Sequence, residues 1–218
     1  MKEKSILHLD LDTFFVSVER LLDSKLKDKP LIVGGLGDRG VVAACSYETR
    51  NFGVHSGMAM KMARQLCPQA IVIKGDSGTY TKYSHQVTDI IKSRVPTFEK
   101  ASVDEFYADL SGMDKFFGTY QFAHELRHTI IKESGLPISF GLSQNKVVSK
   151  IAPGEAKPNN ELINHTGQDR SFLPPLPVNK SARAGNKTLQ QLMELGVRWH
   201  PTTQEKPRQK TQSVLVTT

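Results

Sequence analysis

Residues 101–110, ASVDEFYADL, set Asp104 and Glu105 side by side between two runs that read as strand. Successive side chains of an extended strand point to opposite faces, so adjacent carboxylates converge only where the chain turns. The flanks support a turn. Residues 98–103 and 106–110 are rich in aromatic and aliphatic side chains, which predicts a tight hairpin with the acidic pair near its tip. A hairpin tip bearing two carboxylates is a place to hold a cation.

A second acidic pair lies in residues 5–19, SILHLDLDTFFVSVE. Leu7, Leu9 and Leu11 alternate with His8, Asp10 and Asp12, the pattern of a half-buried strand whose polar face ends in acids. Repulsion among four gathered carboxylates costs free energy unless protons or metal ions offset it. Oxygen ligands of this kind suit Mg²⁺ or Mn²⁺ rather than zinc. Taken singly, either pair reads equally well as a solvated turn or a helix cap. A site requires both pairs, and something for a metal to act on.

Composition bounds the rest. A chain of 218 residues, 38% hydrophobic, can bury one sizeable core and one or two smaller modules. Its 29 Lys and Arg against 22 Asp and Glu give a net charge of +7. A basic surplus around an acidic centre suits a polyanionic partner such as nucleic acid or nucleotide phosphate. Cys45 and Cys67 form no CxxC and lack a His pattern at zinc spacing, the usage of reduced thiols inside a cell. No apolar run approaches the ~18 residues needed to span a bilayer. The start MKEKS leads straight into a strand rather than into a signal-peptide core. The expectation is a cytoplasmic protein that does not meet a membrane.

Along the chain, the first strand covers residues 5–11 and a helix follows over 14–22. PLIVGG and GVVAACS read as short strands joined by a turn containing Gly34, Gly35, Gly37 and Gly40. Residues 58–66 read as a helix that stops before Cys67-Pro68, because the residue before proline avoids the helical region. AIVIKG is a strand, and Tyr83, Val87, Ile90 and Ile91 mark an amphipathic helix over 80–94. After the acidic hairpin come a helix carrying Phe122, Leu126 and Ile130, the strand PISFGLS and a helix from Asn145. With residues 13–74 set aside, the order is strand, helix, hairpin, helix, strand, close to a split βαβ, ferredoxin-like α+β core. Such a core lays the first strand beside the hairpin and merges the two acidic pairs.

Candidate phosphate-binding groups are Tyr47 and Arg50 in SYETRNFG and Lys157 in AKPNN. A planar guanidinium beside a phenol suits phosphate oxygens, although a tyrosine packed under its own arginine is the plainer reading of that octapeptide. Pro158 ends the preceding helix and leaves Lys157 at its exposed end.

DLDTFFVSVE, SYETRNFGVHSGM, SVDE and GLSQNKVVSKIAPGEAKPNN occur in this order, and at this approximate spacing, in Y-family, lesion-bypass DNA polymerases. The chain resembles that family, the bacterial polymerase IV branch most nearly. The likeness is good from Ile6 to about Asn160 and loose from Phe172 to Gly196. The resemblance implies a template-directed DNA polymerase that adds deoxynucleotides to a primer 3′ end by two-metal nucleotidyl transfer. Asp10, Asp104 and Glu105 match its catalytic carboxylates, which bind two Mg²⁺ ions with the Leu11 carbonyl as a further ligand; Mn²⁺ can substitute. Asp12 matches a nearby acid that is not usually a ligand. Tyr47, Arg50 and Lys157 match groups that hold the triphosphate of the incoming dNTP. Phe14 and Phe15 fall at the sugar, Phe15 as the steric gate and Phe14 turned to the core. Ala43 and Gly57 match the surface over the nascent base pair.

In domain terms the resemblance implies a ferredoxin-like palm at 1–12 and 75–163, a small fingers insertion at 13–74 and a short helical thumb at 164–200. Family thumbs grip primer-template DNA through a helix-hairpin-helix with two glycines. Here only Gly185 remains and Arg183 stands at the other position, where a side chain hinders the close approach that glycine allows, so a truncated form with weak DNA grip is expected, with Arg183, Gly185 and Lys187 as its DNA contacts. The family's little-finger domain has no counterpart in this sequence, and 201–218 is expected to be a disordered tail. QSVLV in that tail is a weak match to a sliding-clamp peptide. Two other readings stay open: a non-catalytic DNA-binding or scaffold fragment, and a nucleotide cyclase on a palm-like core. The Tyr47 and Arg50 element argues against the cyclase.

Overall fold

A computed structural model describes residues 4–113, 118–164, 190–191 and 193–194. Its central strand, β1 (Ile6–Leu11), places Leu7, Leu9 and Leu11 on one face at no more than 1% exposure. The hairpin is present as β5 (Phe98–Lys100) and β6 (Glu105–Asp109), antiparallel, with residues 101–104 as its tip. β1 pairs antiparallel with β6 on one side and with β7 (Ile138–Ser143) on the other. β8 (Glu161–Ile163) adds parallel to β7, giving the order β5-β6-β1-β7-β8. The first four of these strands reproduce the expected ferredoxin-like order. β8 is an addition that the sequence reading did not include.

Two helices cover the leucine face: α4 (Ser77–Arg94) and α5 (Thr119–Ser134). Val87, Ile90 and Ile91 from the first, and Ala123, Leu126 and Ile130 from the second, join Leu7, Leu9, Phe106 and Phe140 in one core. α4 starts one turn before the expected residue 80 because Asp76 caps it, its carboxylate accepting from the Thr79 N–H at 2.9 Å.

The opposite face differs from expectation. The alternation predicts a half-buried β1, yet His8 is 0% and Asp12 1% exposed. The cause is α6 (Lys146–Ala156), capped by Asn145 and packed across β1 and β7. A Cβ on Gly141, the register partner of His8, would lie 2.4 Å from the Ser149 carbonyl oxygen, so the helix backbone seats directly on the sheet. This face therefore carries polar groups that are as dry as a core.

A smaller sheet is built from β2 (Leu31–Gly34), β3 (Val42–Cys45) and β4 (Ile71–Ile73), in the order β3-β2-β4. With the short helix α2 (Tyr47–Arg50) and α3 (Met60–Leu66) it encloses its own core of Ile32, Val42, Cys45, Val54, Met60, Ala63 and Cys67. In the glycine turn, a Cβ on Gly40 would meet the Gly35 carbonyl oxygen at 2.6 Å. α1 (Phe14–Leu22) joins the two parts, sending Phe14, Val16 and Val18 into the larger core. Thr13, between β1 and α1, sits in the left-handed region at φ 43°, a conformation that costs a non-glycine residue about 1–3 kcal/mol. The Ser17 hydroxyl holds the turn by donating to the Asp12 carbonyl at 2.7 Å. No described helix is long and apolar enough to cross a membrane.

Candidate active site

The hairpin tip is organised by Ser102. Its hydroxyl donates to Asp104 Oδ1 at 2.5 Å and accepts from the Asp104 and Glu105 N–H groups at 3.3 and 3.1 Å. The Leu11 N–H then donates to the Asp104 carbonyl at 3.0 Å, locking the tip against the end of β1. Register does the rest, since Asp10 and Glu105 are directly paired across β1 and β6 and so share a face. Asp10 thus meets Asp104 and Glu105 at one point, as the hairpin reading expects, whereas Asp12 does not line that point.

Asp10, Leu11, Asp104 and Glu105 line a cleft of about 210 Å³ together with Phe14, Phe15, Ala43, Arg50 and Lys157. Residues from the larger sheet, the smaller sheet and the α6–β8 segment are thereby brought together. Burial pushes the Asp10 carboxyl up to about 6; Lys157 opposes the rise, and Asp104 and Glu105 add to it.

Two lysines answer this negative charge. Lys157 Nζ lies 2.7 Å from Asp10 and 3.7 Å from Asp12, and Lys150 Nζ lies 2.7 Å from Glu105. The expectation of an exposed Lys157 is therefore wrong: its side chain is only 21% exposed and turns inward. Asp12 explains why. Its carboxylate accepts from the Asn159 N–H at 2.6 Å and from the Ser139 hydroxyl at 2.9 Å, while Ser139 accepts from the Asn160 N–H. Arg127, 8% exposed, clamps the same segment from behind by donating to the Ile138 carbonyl and to Asn159 Oδ1. Asp12 is thus a structural anchor for the segment carrying Lys157.

The smaller sheet contributes the other candidates. Ser46 caps α2, and within that single turn the Arg50 guanidinium lies 5.1 Å from the centre of the Tyr47 ring. The tyrosine does pack under its arginine, yet Arg50 also lines the cleft. The Tyr47 hydroxyl is buried with no hydrogen-bond partner among the described residues, and burial together with Asp12 and Asp10 pushes its pKa up to about 12. A protonated, unsatisfied donor beside carboxylates is poised for an anionic oxygen. Phe14 is 3% exposed and belongs to the core, whereas the half-buried Phe15 stacks on Tyr80 with ring centres 4.2 Å apart. Gly57 does not line the cleft. Arg183, Gly185 and Lys187, the thumb boundaries and the tail lie outside the described residues.

The donors fit a hard divalent cation in kind, being carboxylate and carbonyl oxygens with surplus negative charge. Among the described residues no three His, Cys, Asp or Glu are drawn together tightly enough to hold an ion as they stand, and ammonium groups engage two of the carboxylates. Sequence reasoning missed Ser102, Lys150, Arg127 and Ser139. A serine two residues before an aspartate is a local turn signal that could have exposed the first. The others act across contacts as distant as 127 positions, for which the sequence carries no local sign.

Residues 9–154 match the impB/mucB/samB family, IMS. DNA polymerase IV of Treponema denticola is 42% identical over 196 residues, 89% of this chain and 50% of that protein. DNA polymerase IV of Dehalococcoides mccartyi is 43% identical over 199 residues, 90% of this chain and 51% of that protein. The chain spans about half the length of the curated relatives it matches. Among solved structures, DinB from Sulfolobus solfataricus superposes with a TM-score of 0.88 at 27% identity, covering 97% of this chain and 63% of that one. An insertion ternary complex of Dbh DNA polymerase gives 0.86 at 27% identity, covering 96% of this chain and 63% of that one. With these likenesses and the cleft's geometry, the chain belongs to the impB/mucB/samB family, the Y-family polymerases that its own motifs resemble.

Proposed function

We propose that the chain carries the nucleotidyl-transfer centre of a translesion DNA polymerase, adding deoxynucleotides to a primer 3′ end opposite a template. The observation that carries this reading is the shared cleft, where Asp10, Asp104 and Glu105 face Arg50, Lys157 and Phe15. Acids alone would suit many cation sites. Acids opposite a guanidinium and an ammonium suit a metal-bound polyphosphate.

In this reading Asp10, Asp104, Glu105 and the Leu11 carbonyl would hold two Mg²⁺ ions, with Mn²⁺ able to substitute. Bound there, the cations would neutralise charge at the attacking 3′ oxygen and the departing pyrophosphate. The protein's own residues position the reactants. Tyr47 and Arg50 donate to triphosphate oxygens from α2, and Lys157 leaves Asp10 to do so from the opposite wall. Lys150 keeps Glu105 oriented. Phe15, braced by Tyr80, lies flat under the sugar and excludes a 2′-hydroxyl. Residues 1–12 and 75–163 act as palm, 13–74 as fingers and 164–200 as thumb, with primer-template DNA and dNTP as partners.

The test is single-nucleotide primer extension, run beside Mn²⁺-dependent binding of a fluorescent dNTP. Asp104→Asn should lower extension by more than ~10³-fold, the scale of losing a main electrostatic element. Folding should persist, because one repelling carboxylate is removed. Unchanged extension and unchanged Mn²⁺-dependent binding in that variant overturn the assignment.

A further inference from the structure

Away from the cleft, α5 carries His124-Glu125-Leu126-Arg127-His128, two histidines one helical turn apart on one face. Their rings meet edge to face with centres 4.4 Å apart. His124 Nδ1 lies 2.9 Å from Glu161 Oε1, and the same carboxylate oxygen accepts from the Tyr120 hydroxyl at 2.8 Å. Glu161 is on β8, at the edge of the sheet, and none of these residues lines the acidic cleft.

This arrangement fixes a tautomer. With Nδ1–H donated to a carboxylate, the lone pair of His124 is left on Nε2. A carboxylate behind a histidine is the usual outer support of a metal-bound imidazole, orienting the ring and raising its basicity. His128, exposed one turn further along, supplies a second nitrogen. Two imidazole nitrogens each about 2.0–2.1 Å from one ion stand roughly 3 Å apart, a separation that rings already in edge contact reach by side-chain rotation.

We propose that His124 and His128 form a binding site for a divalent transition-metal ion such as Zn²⁺, with Glu161 and Tyr120 as its outer support. Imidazole nitrogen favours Zn²⁺, Ni²⁺ or Cu²⁺ over Mg²⁺, so the site is chemically separate from the carboxylate cleft. Among the described residues no third protein ligand converges on the pair. Water completes the coordination shell. The His-Glu-x-x-His spacing also occurs in zinc peptidases, but those hold their ion with three protein ligands, and this site is a binding site without peptidase chemistry.

The experiment is calorimetric titration of the full chain with Zn²⁺ under excess Mg²⁺, which occupies carboxylate sites. The expected result is a Zn²⁺ site that is lost in His128→Ala and weakened by about 10–100-fold in Glu161→Gln. His128 is exposed, so its replacement leaves the fold intact, and far-ultraviolet circular dichroism confirms this for each variant. Replacing Zn²⁺ with Co²⁺ should give a visible absorption band that disappears in His124→Ala. Absence of Zn²⁺ binding, or binding that survives both His124→Ala and His128→Ala, overturns the proposal.

Discussion

On one face of the five-stranded sheet, Leu7, Leu9, Phe106 and Phe140 interlock with α4 and α5 at 0% exposure. On the other, Asp10, Glu105 and Ser139 meet the α6–β8 segment through charge and hydrogen bonds, while His8 is buried there with neither ring nitrogen hydrogen-bonded. The same three strands, β6, β1 and β7, supply both. At His8 and Ser139 the second face is as dry as the first, and it opens to solvent only towards the cleft, where Asp10 and Glu105 are 18% and 22% exposed, so chemistry more than solvent separates the two. Burial on the first face releases apolar surface from water and stabilises the fold. Burial on the second removes hydration from polar groups and leaves the Asp10 carboxyl holding its proton more tightly than usual and both ring nitrogens of His8 without a hydrogen-bond partner. One face therefore sets whether the chain folds, and the other sets what it can bind.

The sharpest way to break this contrast is a truncation on the apolar face. Phe140→Ala should cost about 3–5 kcal/mol in a urea-unfolding measurement, with Mn²⁺-dependent nucleotide binding per folded molecule unchanged. A loss under 1 kcal/mol would mean that α4 and α5 do not depend on this face. Next in size is Asp12→Ala, which strands the Asn159 N–H and removes a partner of the Ser139 hydroxyl. About 1–3 kcal/mol should be lost, and nucleotide affinity should fall with it because the segment bearing Lys157 is released. Stability lost with affinity intact would show that Lys157 is held by Asp10 alone.

The third effect concerns pH, where two buried groups of the polar face oppose each other. Burial, helped by Lys150 and Lys157, lowers His8 from 6.5 to about 3. Its contribution to stability is complete above pH 6.5 and is lost as pH falls towards 3. Asp10, raised from 3.8 to about 6, has the reverse sign: its contribution is complete below 3.8 and is lost as pH rises through 6. Between those values the slopes offset, each at most about 1.4 kcal/mol per pH unit. Asp10→Asn removes one of them. Unfolding midpoints of that variant should climb between about pH 4 and 6 relative to the parent chain. Parallel pH profiles would refute the opposed pair.

Much of the apolar face was legible in the sequence, and little of the support behind the polar one. α1 matches its expected residues 14–22, because a helix announces its buried side every few positions. The hairpin was legible from its local alternation, and the meeting of Asp10 with Glu105 from an element order that lays β1 beside the hairpin. β8 was not, since three residues carry no period. Asp12 was visible as an acid but not as an anchor. Its partners, Ser139 and Asn159, are neighbours only in space.

The smaller core holds both of the chain's cysteines, Cys45 at 0% and Cys67 at 1% exposure, and the larger core holds neither. Burial also pushes the Cys67 thiol up, away from its reactive thiolate form. Alkylation must therefore wait for the three-stranded sheet to open. The rate at which a thiol reagent labels the native chain becomes a clock for that sheet alone, and comparing it with global unfolding would reveal whether the two cores breathe as one body or as two.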